Sequence, residues 1–358
     1  MLKRLLVLVM VIAVVMAMVV GCGQSGTPEE KPGTETPSEQ PSETPDQEKP
    51  SDDEPLHIGY VCNFMSHEWY QNVTKGAQRR AEDLGIKLEI ADADNDSAQQ
   101  VSFAENFIAK GVDVLALTPV DATTLVPVVE AAKEKGIIVV TETNPVGGGE
   151  VTTVGNDNKA GGKLAGQWLG QYAKDNNIDL KVLVIGFPNF EDCRLRVEGF
   201  KEGLEESGGN YTIVQEVDSQ GGKELALQVS TDALTANPDI NAIFGINDDS
   251  TQGGIMAYES VGLDMDKLVA VGYGLEGIVG REALLNNTPV KAEMAMFPDF
   301  VGACLVDACL KAFNGEELPE RYLTPIAMVT AENYSEFYTQ QGDEWVMNFD
   351  AVEALLNK

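Results

Sequence analysis

The sequence predicts an α/β fold with two doubly wound parallel-sheet lobes that are joined by a multi-strand hinge. Short β-branched runs alternate with segments of helical periodicity along most of the chain, which is typical of βαβ units. The runs lack polar alternation, as expected of strands that helices cover on both faces. Roughly three hundred residues follow this pattern, and because that exceeds one comfortable core, two lobes are expected.

The first round of alternation accounts for one lobe. Gly85 and Gly111 follow its first two helices, where glycine commonly ends a helix. The predicted elements are strands at 56–61, 86–91, 112–117 and 137–141 and helices at 69–84, 97–110 and 122–135.

A second round accounts for the other lobe. Its predicted elements are strands at 181–185, 212–217, 242–246 and 268–272 and helices at 193–206, 224–236, 252–260 and 278–285. A strand at 290–295, a helix at 299–314 and a strand near 324–330 remain, and they are expected to cross back and complete the hinge.

These patterns set the domain boundaries. We assign residues 56–157 plus about 296–325 to an N-terminal lobe and residues 158–295 plus about 326–358 to a C-terminal lobe with its tail. The tail from 331 to 358 is rich in aromatic side chains and is expected to pack on a lobe as a strap.

The N-terminal segment 1–22 predicts export. No charge occurs from Leu5 to Val20, and a helix of that length, about 24 Å, is too short to span a bilayer core of about 30 Å. Basic residues before a short apolar run indicate a signal peptide. Gly21 and Cys22 end the run and resemble the lipobox of bacterial lipoproteins, in which the cysteine carries lipid. An ordinary signal peptide with an incidental cysteine is the alternative.

Residues 23–55 predict a disordered acidic tether of proline, threonine, serine and glutamate, because they hold too few apolar side chains to offset the entropy of ordering. Together with a lipid on Cys22, the tether predicts a protein anchored in the cell membrane and facing outside the cytoplasm.

Composition narrows the partners. The chain has 57 acidic and 25 basic residues and a formal charge of −32, which excludes nucleic acid as a partner. Neither of its two histidines has metal-ligand spacing, and no cofactor is expected. Cys62, Cys193, Cys304 and Cys309 are too few for a disulfide scaffold, so we expect reduced buried thiols, with a bridge or a metal site as the alternative.

The loops after the predicted strands carry a resemblance. In open α/β sheets, ligands bind beyond the carboxyl ends of the strands. The segments that match are YVCNFMSHEWY (60–70), GVDVLALTP (111–119), NDNKAGG (156–162), RLRVEGF (194–200), AIFGIND (242–248) and VAVGY (269–273). In this order they resemble ribose-type periplasmic sugar-binding proteins, whose type I fold is shared with the ligand-binding core of the lactose-repressor group.

The resemblance implies a set of ligand-binding residues. Trp69 and Tyr70 would offer ring faces to a sugar, and Asn63 and His67 would bind its hydroxyls. Arg194 corresponds to a family arginine that forks onto two sugar oxygens, with a surface salt bridge as the alternative.

Asn247, after its strand, would read one hydroxyl as both donor and acceptor. Thr143 and Asn144 stand where the family usually has an Asp-Arg clamp, Gly274 replaces an aspartate with Glu276 two residues on, and Met296 replaces a glutamine. The resemblance therefore implies a pocket shaped for something other than the ordinary pentose, such as a deoxy sugar, a polyol or another small polar ring.

The implied function is capture of a small sugar or polyol and delivery to an ABC permease, by a monomer without enzymatic activity. A sensor that presents the closed lobes to a membrane kinase or chemoreceptor is the alternative. Against an enzyme, the sequence has neither a glycine-rich phosphate loop after a strand nor a nucleophile-elbow motif.

Overall fold

Two six-stranded sheets flanked by helices form most of the chain, as the computed structural model shows for residues 55–286, 288–342 and 344–357. The predicted signal peptide, Cys22 and the tether up to residue 54 lie outside the described residues. The strands are β1 (His57–Cys62), β2 (Lys87–Asp92), β3 (Val114–Leu117), β4 (Ile138–Glu142), β5 (Thr152–Gly155), β6 (Leu180–Gly186), β7 (Tyr211–Asp218), β8 (Ala242–Gly245), β9 (Val269–Gly274), β10 (Val290–Ala295), β11 (Arg321–Leu323), β12 (Ala327–Val329), β13 (Tyr338–Gln341) and β14 (Glu344–Met347).

Helices follow most of these strands, as the alternating pattern predicts. They are α1 (Glu68–Leu84), α2 (Ser97–Lys110), α3 (Ala122–Glu134), α4 (Asn158–Asn176), α5 (Glu191–Ser207), α6 (Lys223–Ala236), α7 (Asp248–Ser260), α8 (Ile278–Leu285), α9 (Pro298–Phe313), α10 (Tyr334–Phe337) and α11 (Phe349–Glu353). Short 3-10 helices occur at Met265–Lys267 and Ala354–Asn357.

The first lobe is built on a sheet with the strand order β11-β5-β4-β3-β1-β2, in which every neighbouring pair is parallel. Helices α1 and α9 pack together beside this sheet, and α2 and α3 pack against β1, β3 and β4. The residues of β3 are all buried, as expected of a central strand covered on both faces.

The second lobe repeats the arrangement with the order β12-β10-β9-β8-β6-β7. Its strands are parallel except β12, which runs antiparallel to β10 at the edge. The predicted α/β class with two doubly wound lobes is therefore confirmed. Sequence patterns did not predict β5, α4 or β11.

The chain passes between the two sheets three times. It leaves the first sheet after β5 and enters the second lobe at α4, returns between β10 and α9, and crosses again between β11 and β12. Asn156 stands at the first crossing, and its side-chain amide nitrogen lies within hydrogen-bond distance of the other two: 3.3 Å from the carbonyl oxygen of Met296 and 2.8 Å from the hydroxyl of Thr324. One side chain thus ties all three hinge segments.

Helices α4 and α5 approach closely because glycines line their interface. A Cβ on Gly162 would clash with the backbone of Arg196, and one on Gly199 would clash with the backbone of Lys159. This close contact fixes the position of α5, which carries several residues of the site described below.

The tail contacts both lobes. The ring of Phe349 lies 4.5 Å from that of Phe300 on α9, while Tyr334 lines a small cavity together with Arg281 on α8. The tail, which the sequence assigns to the C-terminal lobe, lies against the first lobe as well as the second. Within the described part of the chain, no helix has both the length and the apolarity to cross a bilayer.

Candidate functional site

A cavity of about 270 Å³ lies between the lobes, at the carboxyl ends of strands from both sheets. The first lobe and the crossings supply His67, Trp69, Tyr70, Thr143, Gly155, Asn156, Met296 and Arg321. The second lobe supplies Asn158, Phe187, Phe190, Asp192, Cys193, Arg196, Gln220, Gly221, Asn247 and Glu276. We call this cavity the cleft. Its position is where open α/β sheets bind ligands.

Each lobe contributes aromatic rings to the cleft. Trp69 and Tyr70 stand in the first turn of α1, which begins directly after the loop that leaves β1. Phe187 and Phe190 follow β6 and are stacked, with ring centroids 5.8 Å apart. Ring faces of this kind attract the polarised C–H groups of a polyhydroxylated molecule, so the walls can hold an apolar face while other groups bind hydroxyls.

Arg196 is the central cation of the cleft. Its guanidinium lies 4.4 Å from the ring centroid of Tyr273, Nε donates to Oδ1 of Asn158 at 2.8 Å, and Nη1 donates to the carbonyl oxygen of Ile246 at 2.8 Å. These contacts hold the planar group in one orientation. Its other nitrogen, Nη2, lies 3.6 Å from the sulfur of Met296.

Two acids accompany the cleft arginines. Burial raises the pKa of Asp192, although Arg196 and Arg321 partly counteract it. Burial likewise raises the pKa of Glu276 above its ordinary value, with Arg196 opposing and Asp249 adding to the shift. Arginines and acids are equal in number here, so the cleft carries no large excess of either charge.

His67 caps α1 and faces Glu276. Its Nδ1 accepts a hydrogen bond from the backbone nitrogen of Trp69 at 3.2 Å and lies 3.8 Å from Oε2 of Glu276. Burial lowers the pKa of His67, and Asp249 and Glu68 oppose that shift. A neutral imidazole fits the acceptor role that the helix cap requires.

A buried carboxyl supports the first-lobe wall from behind. Glu142 ends β4 and is fully buried; it accepts hydrogen bonds from the hydroxyls of Thr118 at 2.8 Å and Thr143 at 2.6 Å. Burial raises its pKa to about 7, although the bonds from Thr143 and Thr118 partly lower it. Because Thr143 lines the cleft, Glu142 helps to fix that part of its wall.

Five of the eight predicted ligand-binding residues line the cleft: His67, Trp69, Tyr70, Thr143 and Asn247. Asn247 also caps α7, with Oδ1 accepting from the backbone nitrogen of Ser250 at 2.9 Å and Nδ2 donating to the carbonyl oxygen of Gly221 at 2.9 Å.

Three predicted residues are placed differently. Arg194 is exposed on the outer face of α5 and donates to Glu198 at 2.6 Å. The geometry therefore favours the alternative for Arg194, a surface salt bridge, over ligand binding. Asn63 stands outside the cleft lining, and its backbone carbonyl oxygen accepts from the backbone nitrogen of Asn95 at 2.7 Å. Asn144 also stands outside the lining, with its backbone nitrogen bonded to the carbonyl oxygen of Glu142.

The structure adds cleft residues that the prediction missed. For Arg196, the periodicity of the helix could have indicated its place. Arg194 pairs with Glu191 and Glu198, three and four residues away, which marks the face turned to solvent. Arg196 lies with Asp192 on the opposite face, toward the cleft. Phe187 and Phe190 follow a predicted strand, so the carboxyl-end rule already pointed to them. Arg321 begins β11, a strand of three residues that no periodicity reveals.

Other chemistry finds little support in the described residues. Across the ranges given above, no group of three or more histidine, cysteine or acidic side chains is arranged to hold a metal ion. Cys62, Cys193, Cys304 and Cys309 are buried with free thiols, and burial raises the pKa of each.

Two doubly wound lobes, three crossings and a polar, aromatic cleft between them define a two-lobed ligand-binding protein. The model of the periplasmic binding protein domain family matches residues 58–317, and the chain belongs to this family. Its members bind substrates and do not catalyse reactions, and membership implies a place outside the cytoplasm.

The relatives narrow the family to its ribose-type sugar-binding branch. The ribose import binding protein RbsB of Escherichia coli (strain K12) is 27% identical over 277 residues, which cover 77% of this chain and 90% of that protein. A periplasmic solute-binding protein of Actinobacillus succinogenes with bound D-allose superposes with a TM-score of 0.70 at 27% identity, covering 78% of this chain and 99% of that one. A solute-binding protein of Bacillus halodurans with bound myo-inositol gives 0.68 at 25% identity, covering 80% and 99%.

Proposed function

We propose that this protein binds a small uncharged sugar or polyol in the cleft and delivers it to an ABC importer. The observation that carries the proposal is the pairing of aromatic rings from both lobes with the oriented guanidinium of Arg196, in a cleft whose arginines and acids balance. Such a cleft offers ring faces to C–H groups and fixed donors to hydroxyls, without selecting a net charge. The relatives named for ribose, D-allose and myo-inositol support this ligand class.

The eight predicted ligand-binding residues divide accordingly in the proposal. His67, Trp69, Tyr70, Thr143 and Asn247 contact the ligand, Asn63 does not, and Arg196 takes the role that the resemblance gave to Arg194. The family's Asp-Arg clamp is replaced by Thr143 and Asn144, yet Nη2 of Arg321 lies 3.5 Å from the carbonyl oxygen of Thr143. A guanidinium from a different element thus reaches that end of the cleft, so selectivity should differ from that of a ribose receptor.

Thermal denaturation with a ligand panel tests the binding proposal. D-Ribose, D-allose, myo-inositol and glycerol are added separately to the purified protein, and native mass spectrometry identifies any ligand retained from expression. A ligand at a hundred times its Kd should stabilise the fold by about 2.7 kcal/mol and raise Tm by several degrees. Arg196→Lys should abolish the shift, and Arg194→Lys, the matched control on the outer face of α5, should retain it. A panel without any shift and an empty native spectrum would refute the proposal.

The second part of the proposal concerns the membrane. We infer that Cys22 carries the lipid and that residues 23–55 tether a monomer outside the cell, within reach of the importer. The uncharged run and the position of Cys22 at its end support this. In a bacterial host, wild type should sediment with membranes and incorporate labelled palmitate, while Cys22→Ala should do neither. Palmitate incorporation by Cys22→Ala would contradict the assignment.

A further inference from the structure

Helix α8 of the second lobe has its first turn capped by the first lobe. Its N-cap residue, Gly277, offers no side chain, and the backbone nitrogen of Ile278 instead donates to Oε1 of Glu68 on α1 at 2.9 Å. The two residues are 210 positions apart in the chain. A carboxylate at a helix N-terminus is favoured by both the free N–H group and the helix dipole. This cap exists only while the lobes are together.

A second bond joins the same two elements. Nδ2 of Asn72, one turn after Glu68 on α1, donates to the carbonyl oxygen of Glu276 at 2.5 Å. The backbone nitrogen of Glu276 donates in turn to the buried carboxyl of Asp248 at 3.0 Å, within the second lobe. The carbonyl oxygen of Glu276 is therefore bound by the first lobe and its backbone nitrogen by the second lobe, while Glu276 also lines the cleft.

The loop that receives these bonds has a constrained backbone. Leu275 is buried and has a φ of 48°, in the left-handed region that non-glycine residues seldom adopt. A Cβ on Gly277 would clash with the carboxyl of Glu68. The approach of the opposite lobe thus makes glycine at 277 a requirement of this cap.

We propose that Glu68 and Asn72 form a closing latch that sets ligand affinity without touching the ligand. The inference rests on the proposed function and deepens it. Neither residue lines the cleft, and both bonds break when the lobes separate about the three crossings. Apparent affinity is proportional to the fraction of the unliganded protein that is closed, and we expect the latch to make that fraction substantial in wild type. The latch therefore tightens every ligand by the same factor, whereas a cleft residue changes one ligand relative to another.

Titration calorimetry with D-ribose, D-allose, myo-inositol and glycerol separates these two behaviours. Glu68→Ala should weaken each ligand that binds wild type by about tenfold, as expected for loss of one charge-assisted bond, with selectivity unchanged. Glu68→Gln, which keeps an acceptor without the charge, should fall between the two. Unequal losses across the panel, or no loss at all, would overturn the latch.

Gly277→Ala gives a second, independent perturbation, because the added methyl group displaces the Glu68 carboxyl from the cap. Its control is Gly222→Ala: Gly222 is also an N-cap glycine of the second lobe, and its Cβ would meet nothing closer than 3.9 Å. Gly277→Ala should reproduce the uniform loss of Glu68→Ala, and Gly222→Ala should bind as wild type does. Unfolding curves confirm that all variants remain folded.

Small-angle X-ray scattering without ligand tests the latch even if no member of the panel binds. Unliganded wild type should be measurably more compact than Glu68→Ala and Gly277→Ala. Identical scattering curves for the three proteins would reject the latch. Failure of the whole panel to bind, combined with this difference in compactness, would reject the ligand class and leave the latch standing.

Discussion

Replacing Glu142 by glutamine should remove a pH-dependent cost to stability. The carboxyl is fully buried, and its pKa is raised to about 7, mainly by burial. In the unfolded chain a glutamate titrates near 4.3. Between about pH 4.3 and 7 the native state therefore binds the additional proton, and the free energy of unfolding falls as pH rises through this window.

The magnitude follows from the size of the shift. A difference of roughly 2.7 pKa units at about 1.36 kcal/mol per unit corresponds to about 3 to 4 kcal/mol between pH 4.5 and 8. Glutamine cannot ionise but can still accept from Thr118 or Thr143. The difference in unfolding free energy, Glu142→Gln minus wild type, should consequently rise by about 3 kcal/mol from pH 4.5 to pH 8.

Urea denaturation of both proteins at half-unit pH intervals measures this difference. Other buried acids with raised pKa values, such as Glu276 and Glu293, remain in both proteins and largely cancel. Glu105→Gln, at an exposed position on α2, controls for the loss of one surface charge from a chain of net charge −32. A difference that stays constant within about 0.5 kcal/mol across the range would refute the reasoning.

Two further predictions concern other parts of the fold. The carboxylate of Glu150 accepts from three successive backbone nitrogens, including that of Gly147 at 2.9 Å, and although burial opposes them, these bonds lower its pKa. Glu150→Gln should therefore cost about 1 kcal/mol at pH 7 and progressively less as pH falls through that lowered pKa; a cost that grows in acid would contradict it. Phe349→Ala should cost about 1 to 2 kcal/mol and speed proteolysis of the tail, whereas Phe313→Ala, at a ring 39% exposed, should change neither; equal effects would contradict the packing of the tail on α9.

The fold was largely predictable because its strands are buried on both faces. Continuous apolar runs such as those of β3 and β8 can be identified from local sequence alone. The ends of α1 and α2 could be predicted from the glycines that follow them, Gly85 and Gly111. The strands that were missed, among them β5 (TTVG) and β11 (RYL), lack the continuous apolar run that marks β3 and β8. β5 and β11 pair with each other, and local sequence does not encode that pairing.

The site was less predictable because its residues depend on helical phase and on contacts between distant segments. Resemblance directed attention to the segment that contains Arg194, and a shift of two residues along α5 moves a side chain by about 200° around the helix axis. The pairing of Arg194 with acids three and four residues away carried the missing information, since such pairs mark a face turned to water.

Gly277 shows a stronger limit. A glycine before a helix is ordinarily interpreted as a cap or a turn. At 277 the missing Cβ also matters, because Glu68 of the other lobe occupies that space. The same approach allows Glu68 to cap α8, so the cap needs both the carboxylate of Glu68 and the absence of a side chain at Gly277. Local sequence contains each half, but only the closed arrangement of the lobes shows that the two act together.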